Sequence, residues 1–171
     1  MRISVVHSFD LGKVGFYSIQ KINADESVDD VEYDNFKSRM KDGGKKEYQL
    51  SEIENIIIQI GQNGATEDYF RKEGKQARAI PPRSVELWGS DGVTEFGLRL
   101  YCLRVTDKVV ILLNGDMKLE KDPAACPNCQ EHFEFANAVA KSFFDGVYRN
   151  RTIFIKGKEI QVDTDELILK I

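Results

Sequence analysis

The sequence predicts a single α+β domain in which an antiparallel β-sheet, with a central meander at about 84–115, packs against two or three helices. Three observations lead there: two β-rich runs at the N-terminus, isoleucines at helical spacing over 53–60, and successive apolar strands over 96–115 joined by a very short turn. A chain of 171 residues with 42% hydrophobic content is long enough to bury a core and short enough to form one domain. Its best apolar runs, such as Val109–Leu113, are far shorter than a bilayer-spanning helix requires.

The elements follow in order. Residues 2–9 and 14–22 read as a hairpin turning at Gly12-Lys13. An acidic stretch from Asp25 to Asp34 reads as a solvated loop running into a short helix near Tyr33–Met40, broken by the run from Lys41 to Lys46. Ser51 and Glu54 have capping-box spacing, so the clearest helix is expected to start at Ser51 and to end at Gly61. Within it Ile53, Ile56, Ile57 and Ile60 share one face. Thr66 is the expected cap of a second short helix through Tyr69-Phe70-Arg71, stopped by Gly74, and Ile80-Pro81-Pro82 is a connector.

The meander is expected to comprise Ser84–Trp88, Phe96–Val105 and Lys108–Asn114, the last two joined by a hairpin at Thr106-Asp107. Side chains alternate along a strand, so Leu98, Leu100 and Cys102 fall on one face and Arg99, Tyr101 and Leu103 on the other. Val109–Leu113 is apolar on both sides and suits an interior strand, after which Asn114-Gly115-Asp116 is expected to turn the chain. A helix over about Asn128–Asp145, capped by Asn128 and stopped by Gly146, buries Ala136, Val139, Ala140 and Phe143. Thr152–Ile155 and Glu159–Val162 form a C-terminal hairpin, and Leu167–Ile171 adds an edge strand.

Three cysteines without a secretory leader point to reduced thiols and a cytoplasmic protein. Residues 1–70 carry 13 acidic against 8 basic side chains, whereas residues 71–158 carry 15 basic against 11 acidic, an imbalance that surface solvation or a local cationic face explains equally. Neither a phosphate-cradling glycine loop nor a nucleophile-elbow serine is present, so no nucleotide cofactor is expected. Cys126-Pro-Asn-Cys129-Gln-Glu-His132 has ligands suited to zinc or a redox couple. A second knuckle is missing, however, so the motif reads as a helix start with free thiols, and no metal is expected.

An arginine in mid-strand must find an anionic partner, water or a ligand, which makes Arg99, beside Tyr101, the leading candidate for chemistry. A salt bridge to a neighbouring carboxylate accounts for it equally well. Arg104, Lys118 and Lys121 lie at strand ends or in the following loop, where they can contact phosphate oxygens. Arg71 and Glu73 are placed near the end of the second helix, on a solvated face.

The run from Gly97 to Val105, GLRLYCLRV, followed by Val109 to Lys118, VVILLNGDMK, resembles the sheet of RelE/ParE-superfamily toxins, particularly the HigB-like branch. The resemblance covers about residues 50–145 as a RelE-like core, leaving 1–49 and 147–171 as extensions, and 84–121 carries nearly all of it. It implies a cytosolic, metal-independent endoribonuclease acting on mRNA, often on the ribosome, and neutralised by a cognate antitoxin. Arg99 then matches the central-strand arginine that stabilises phosphate charge, Lys118 and Lys121 match the basic loop, and Tyr101 or Glu73 assists proton transfer. The other reading open to the sequence is a non-enzymatic protein-binding module, an inactive RelE-like relative.

Overall fold

In the computed structural model, which describes residues 1–171, β1 (Arg2–Leu11) and β2 (Val14–Ile22) form the expected N-terminal hairpin. Its turn needs Gly12, which has φ +54° and sits where a Cβ would lie 2.5 Å from the Gly61 carbonyl oxygen. That contact also explains Gly61, which does not end a helix but makes room for Leu11, whose side chain a Cβ there would meet at 2.5 Å.

α1 (Glu32–Met40) lies where expected, and α2 (Lys45–Asn63) is longer than expected at both ends. Asp42 accepts from the N–H groups of Gly44 and Glu47, and the Glu47 carboxylate from that of Gly43, so this pair, not Ser51, satisfies the first orphan donors. Ser51 lies exposed inside the helix, its hydroxyl donating to the Glu47 carbonyl oxygen. Ser51→Ala is therefore expected to leave the denaturation midpoint nearly unchanged, within about 0.5 kcal/mol, instead of the roughly 1 kcal/mol loss of a true cap. The four isoleucines are buried as predicted. Each contributes about 2 kcal/mol by leaving water, which outweighs the few tenths that isoleucine loses in helix propensity.

Thr66 precedes a single 3₁₀ turn (Glu67–Tyr69), makes no side-chain cap, and leads straight into β3 (Arg71–Lys72), so the expected second helix is absent. β4 (Arg78–Ile80) and not Ser84–Trp88 is the outer strand of the meander, pairing antiparallel with β5 (Gly97–Thr106). Pro81 and Pro82 cannot donate to a ladder, and the irregular segment beyond them is anchored by the single buried side chain of Leu87. β6 (Val109–Lys118) runs through Asn114 and Gly115 without turning.

The sheet has the order β3-β4-β5-β6-β2-β1-β9, with β9 (Ile168–Lys170) as the expected edge strand. It is mixed and not purely antiparallel, because β2 and β6 run parallel, Gly15 to Tyr17 against Val109 to Ile111. The helices and strands between them allow the crossover that a parallel pair requires. α3 (Gln130–Asp145) continues past Gly146 into a π-helical turn, Gly146–Asn150, and Asn128 does not cap it. The hairpin of β7 (Ile153–Lys156) and β8 (Glu159–Val162) completes the fold.

The alternation read along β5 divides the core. Leu98, Leu100 and Cys102 join the isoleucines of α2 and Phe36 of α1 on one face of the sheet. Tyr101 and Leu103 join Ala136, Val139, Ala140 and Phe143 of α3 on the other. No helix is long and apolar enough to cross a membrane.

Candidate anion-binding site

β5 carries Arg99 on the face that α3 covers, but at the end of the strand where the helix no longer lies over it. Tyr101, two residues along, packs against Phe133 of α3 with ring centroids 6.2 Å apart, whereas Arg99 lines a cleft of about 630 Å³. The irregular segment between β4 and β5 forms one wall of this cleft, contributing Arg83 and Phe96 among others. β3 with Glu73 just after it, Arg99 of β5, and the end of β6 with the loop through Lys121 form the rest. Arg71, Glu73, Lys118 and Lys121 thus meet Arg99 in one place, although sequence alone set Arg71 and Glu73 on a solvated helix.

The two arginines are held by backbone carbonyl oxygens and not by carboxylates. Arg71 donates from Nε to the Pro81 carbonyl oxygen at 2.8 Å and from Nη2 to that of Pro82 at 3.2 Å. Arg99 is only 3% exposed. It donates from Nη1 to the carbonyl oxygen of its own neighbour Leu98 at 2.9 Å, and its buried Nε has no partner. No carboxylate lies within ion-pair distance of either arginine, and the one ion pair inside the cleft, Lys118 to Glu73, is long at 3.9 Å. The salt bridge that would have explained Arg99 structurally is not made.

Electrostatics agree with the geometry. Burial, and next the positive charge of Arg71, pull the Arg99 pKa down to about 10. Burial likewise lowers Arg71 and Lys118; the Glu73 charge opposes the shift in both, while Arg99 and Arg71 add to it at Lys118. The positive charges of Arg71 and Arg99 oppose each other, and both oppose that of Lys118. A negatively charged guest at this point would supply the anionic partner that the Arg99 guanidinium lacks and relieve the repulsion among the cations.

Two predicted site residues belong elsewhere. Tyr101 is fully buried with an unpartnered hydroxyl, and burial raises its pKa strongly, so it cannot donate to a substrate in the cleft. It shares a strand face with Arg99, but α3 covers it. Arg104, farther along β5, bonds the Ala65 carbonyl oxygen and approaches Glu67 at 3.4 Å, which makes it a strap for the turn after α2. His132 also separates from the cysteines: its Nε2 faces Arg39 at 3.4 Å, and no set of three His, Cys, Asp or Glu side chains is placed to hold a metal.

A larger cleft of about 800 Å³, which the sequence did not suggest, lies among α1, β6 and α3. Its buried Glu32 is paired with Lys21 at 2.9 Å and accepts from Asn114 at 2.7 Å, and its Arg39 pairs with Asp116 at 2.7 Å. Those charges satisfy one another, so size does not mark it as the site; the buried Arg99 of the smaller cleft, with no carboxylate at ion-pair distance, does. Comparison with protein families, with curated proteins and with solved structures finds no match to this chain.

Proposed function

We propose that the chain is a metal-independent endoribonuclease of the RelE/ParE-like, HigB-type toxin class, with an RNA phosphodiester as the anion of the Arg99 cleft. The observation that carries this is the buried Arg99 guanidinium, its Nε unpartnered, on a surface shared with Arg71, Lys118 and a single well-buried carboxylate, Glu73. Cleavage needs three tasks done: deprotonation of the ribose 2′-hydroxyl, stabilisation of the pentavalent phosphate, and protonation of the departing 5′-oxygen. Glu73 takes the first proton, Arg99 and Arg71 neutralise the added charge, and Lys118, whose buried ammonium holds its proton less tightly than usual, supplies the last. Products are a 2′,3′-cyclic phosphate and a 5′-hydroxyl. Lys121, exposed at the mouth, positions the backbone. In keeping with the resemblance, a cognate antitoxin neutralises the activity.

Induced expression is expected to arrest growth, and the purified protein to cut single-stranded RNA in excess EDTA, leaving cyclic-phosphate ends. RNA that stays intact and unbound at low salt would sink the proposal. Binding without cleavage would instead leave a nucleic-acid-binding module.

A further inference from the structure

The proposed chemistry makes no use of Cys126 and Cys129, which stand at the start of α3 separated by Pro127-Asn128. Both are buried, and their thiols converge on one atom: Cys126 Sγ lies 3.9 Å and Cys129 Sγ 3.6 Å from the Met117 carbonyl oxygen. The Leu119 N–H donates to Cys126 Sγ at 3.4 Å, and the Cys129 N–H donates to the Cys126 carbonyl oxygen at 3.0 Å, closing the turn that brings the two side chains together. Cys126 lies beneath the irregular segment 119–125, most of which is exposed. The two thiols are also unequal. Burial raises the Cys126 pKa, but the N–H groups of Leu119, Glu120 and Cys129 outweigh it and lower the thiol overall. Burial and then the Cys126 charge push Cys129 up to about 12. One thiol is thus favoured to attack and the other to resolve.

The sulfurs bracket the cleft cation. Met117 and Leu119, the residues they bond, flank Lys118, which lines the cleft with Arg99. We propose that Cys126 and Cys129 form a reversible disulfide with a peroxide as oxidant, and that this bond regulates the Arg99 cleft by shifting the Met117–Leu119 backbone. The Cys126 thiolate attacks one peroxide oxygen; the O–O bond breaks and leaves a sulfenic acid, the other oxygen departing as water once protonated. Cys129 sulfur then attacks Cys126 sulfur, the S–O bond breaks and a second water leaves. Two thiols and one hydrogen peroxide become one disulfide and two waters. In the disulfide neither sulfur can donate to the Met117 oxygen, so the segment holding Lys118 loses those tethers. Disulfide formation stands independently of the nuclease reading, whereas the effect on the cleft rests on it.

The test treats the native full-length chain with hydrogen peroxide and then alkylates it. The tryptic peptide 122–141 holds both cysteines, and the peptide 100–104 holds the buried Cys102. The expected result is loss of two hydrogens from the first peptide, continued alkylation of Cys102 after unfolding, a roughly tenfold loss of RNA affinity, and recovery of both with dithiothreitol. Cys126→Ser and Cys129→Ser should each abolish the response. Sulfinic acid without a disulfide, or no change in mass until the chain is denatured, would overturn the assignment. A disulfide formed with unchanged RNA affinity would overturn the switch alone. A disulfide in a protein that binds no RNA in either state would uphold the dithiol site and overturn both the switch and the nuclease reading.

Discussion

Arg99→Met is expected to make the protein more stable and, if the cleft takes RNA as proposed, to weaken RNA binding sharply. Methionine fills much of the volume of the aliphatic stem and guanidinium without carrying charge into a site where 97% of the residue is hidden from water. The wild-type charge has no carboxylate partner, one bond to the Leu98 carbonyl oxygen and an orphaned Nε. Removing it deletes a desolvated cation that Arg71 already repels. Replacing buried ions with apolar groups of similar size commonly stabilises by about 1 kcal/mol or more, which for a chain of this length raises Tm by roughly 2–4 °C. Binding moves the opposite way, because ionic hydrogen bonds to a phosphate contribute about 1.5–3 kcal/mol each, and losing two of them weakens RNA affinity by roughly 100-fold or more. Thermal melts and fluorescence anisotropy on the same sample provide the check. An arginine with a purely structural role would give the reverse pair of results, a lower Tm with unaltered affinity.

Much of this architecture was legible in local sequence, where one periodicity decides the outcome. The N-terminal hairpin, the buried stripe of α3 and the two faces of β5 all follow from spacing within a single element. Failures arose where a distant partner decides. Ser84–Trp88 alternates like a strand, yet the place beside β5 is taken by Arg78–Ile80. The start of α2 is set by Asp42 and Glu47 wrapping back on Gly43 and Gly44, which outcompetes the better-looking cap at Ser51. The parallel pairing of β2 with β6 has no local signature at all. The site divides in the same manner. Arg99 was legible because a cation in mid-strand is costly wherever the strand goes. Tyr101 was wrongly grouped with it because alternation gives the face but not the point at which α3 stops covering that face. Arg71 and Glu73 reached the cleft through β3, a strand of two residues that carries too few positions to show a period.

Gly115→Ala is expected to damage fold and site together. Gly115 stands opposite Leu100, where the β5–β6 register slips before Cys102. A Cβ at this position would lie 1.7 Å from the Arg99 carbonyl oxygen, 2.8 Å from the carbonyl carbon and 3.1 Å from the Leu100 Cα. All three are backbone atoms, so no change of rotamer relieves the clash and the two strands must separate. Separation is resisted from the far side as well, since Arg39 of α1 donates to the Gly115 carbonyl oxygen and to Asn114. Overpacking in a constrained core costs about 1–3 kcal/mol, and more where backbone must move; a loss of at least about 3 kcal/mol is expected here, read as a lower urea midpoint. The strand that yields is the one carrying Arg99, so RNA affinity should fall even in the fraction that remains folded. Gly44→Ala is the control, because a Cβ there meets only the Asp42 carboxylate at an ordinary 3.6 Å, and a change within about 1 kcal/mol is expected. If Gly115→Ala left both the urea midpoint and the affinity where they were, close approach of β6 to the Arg99 backbone could not be what holds the guanidinium in the cleft.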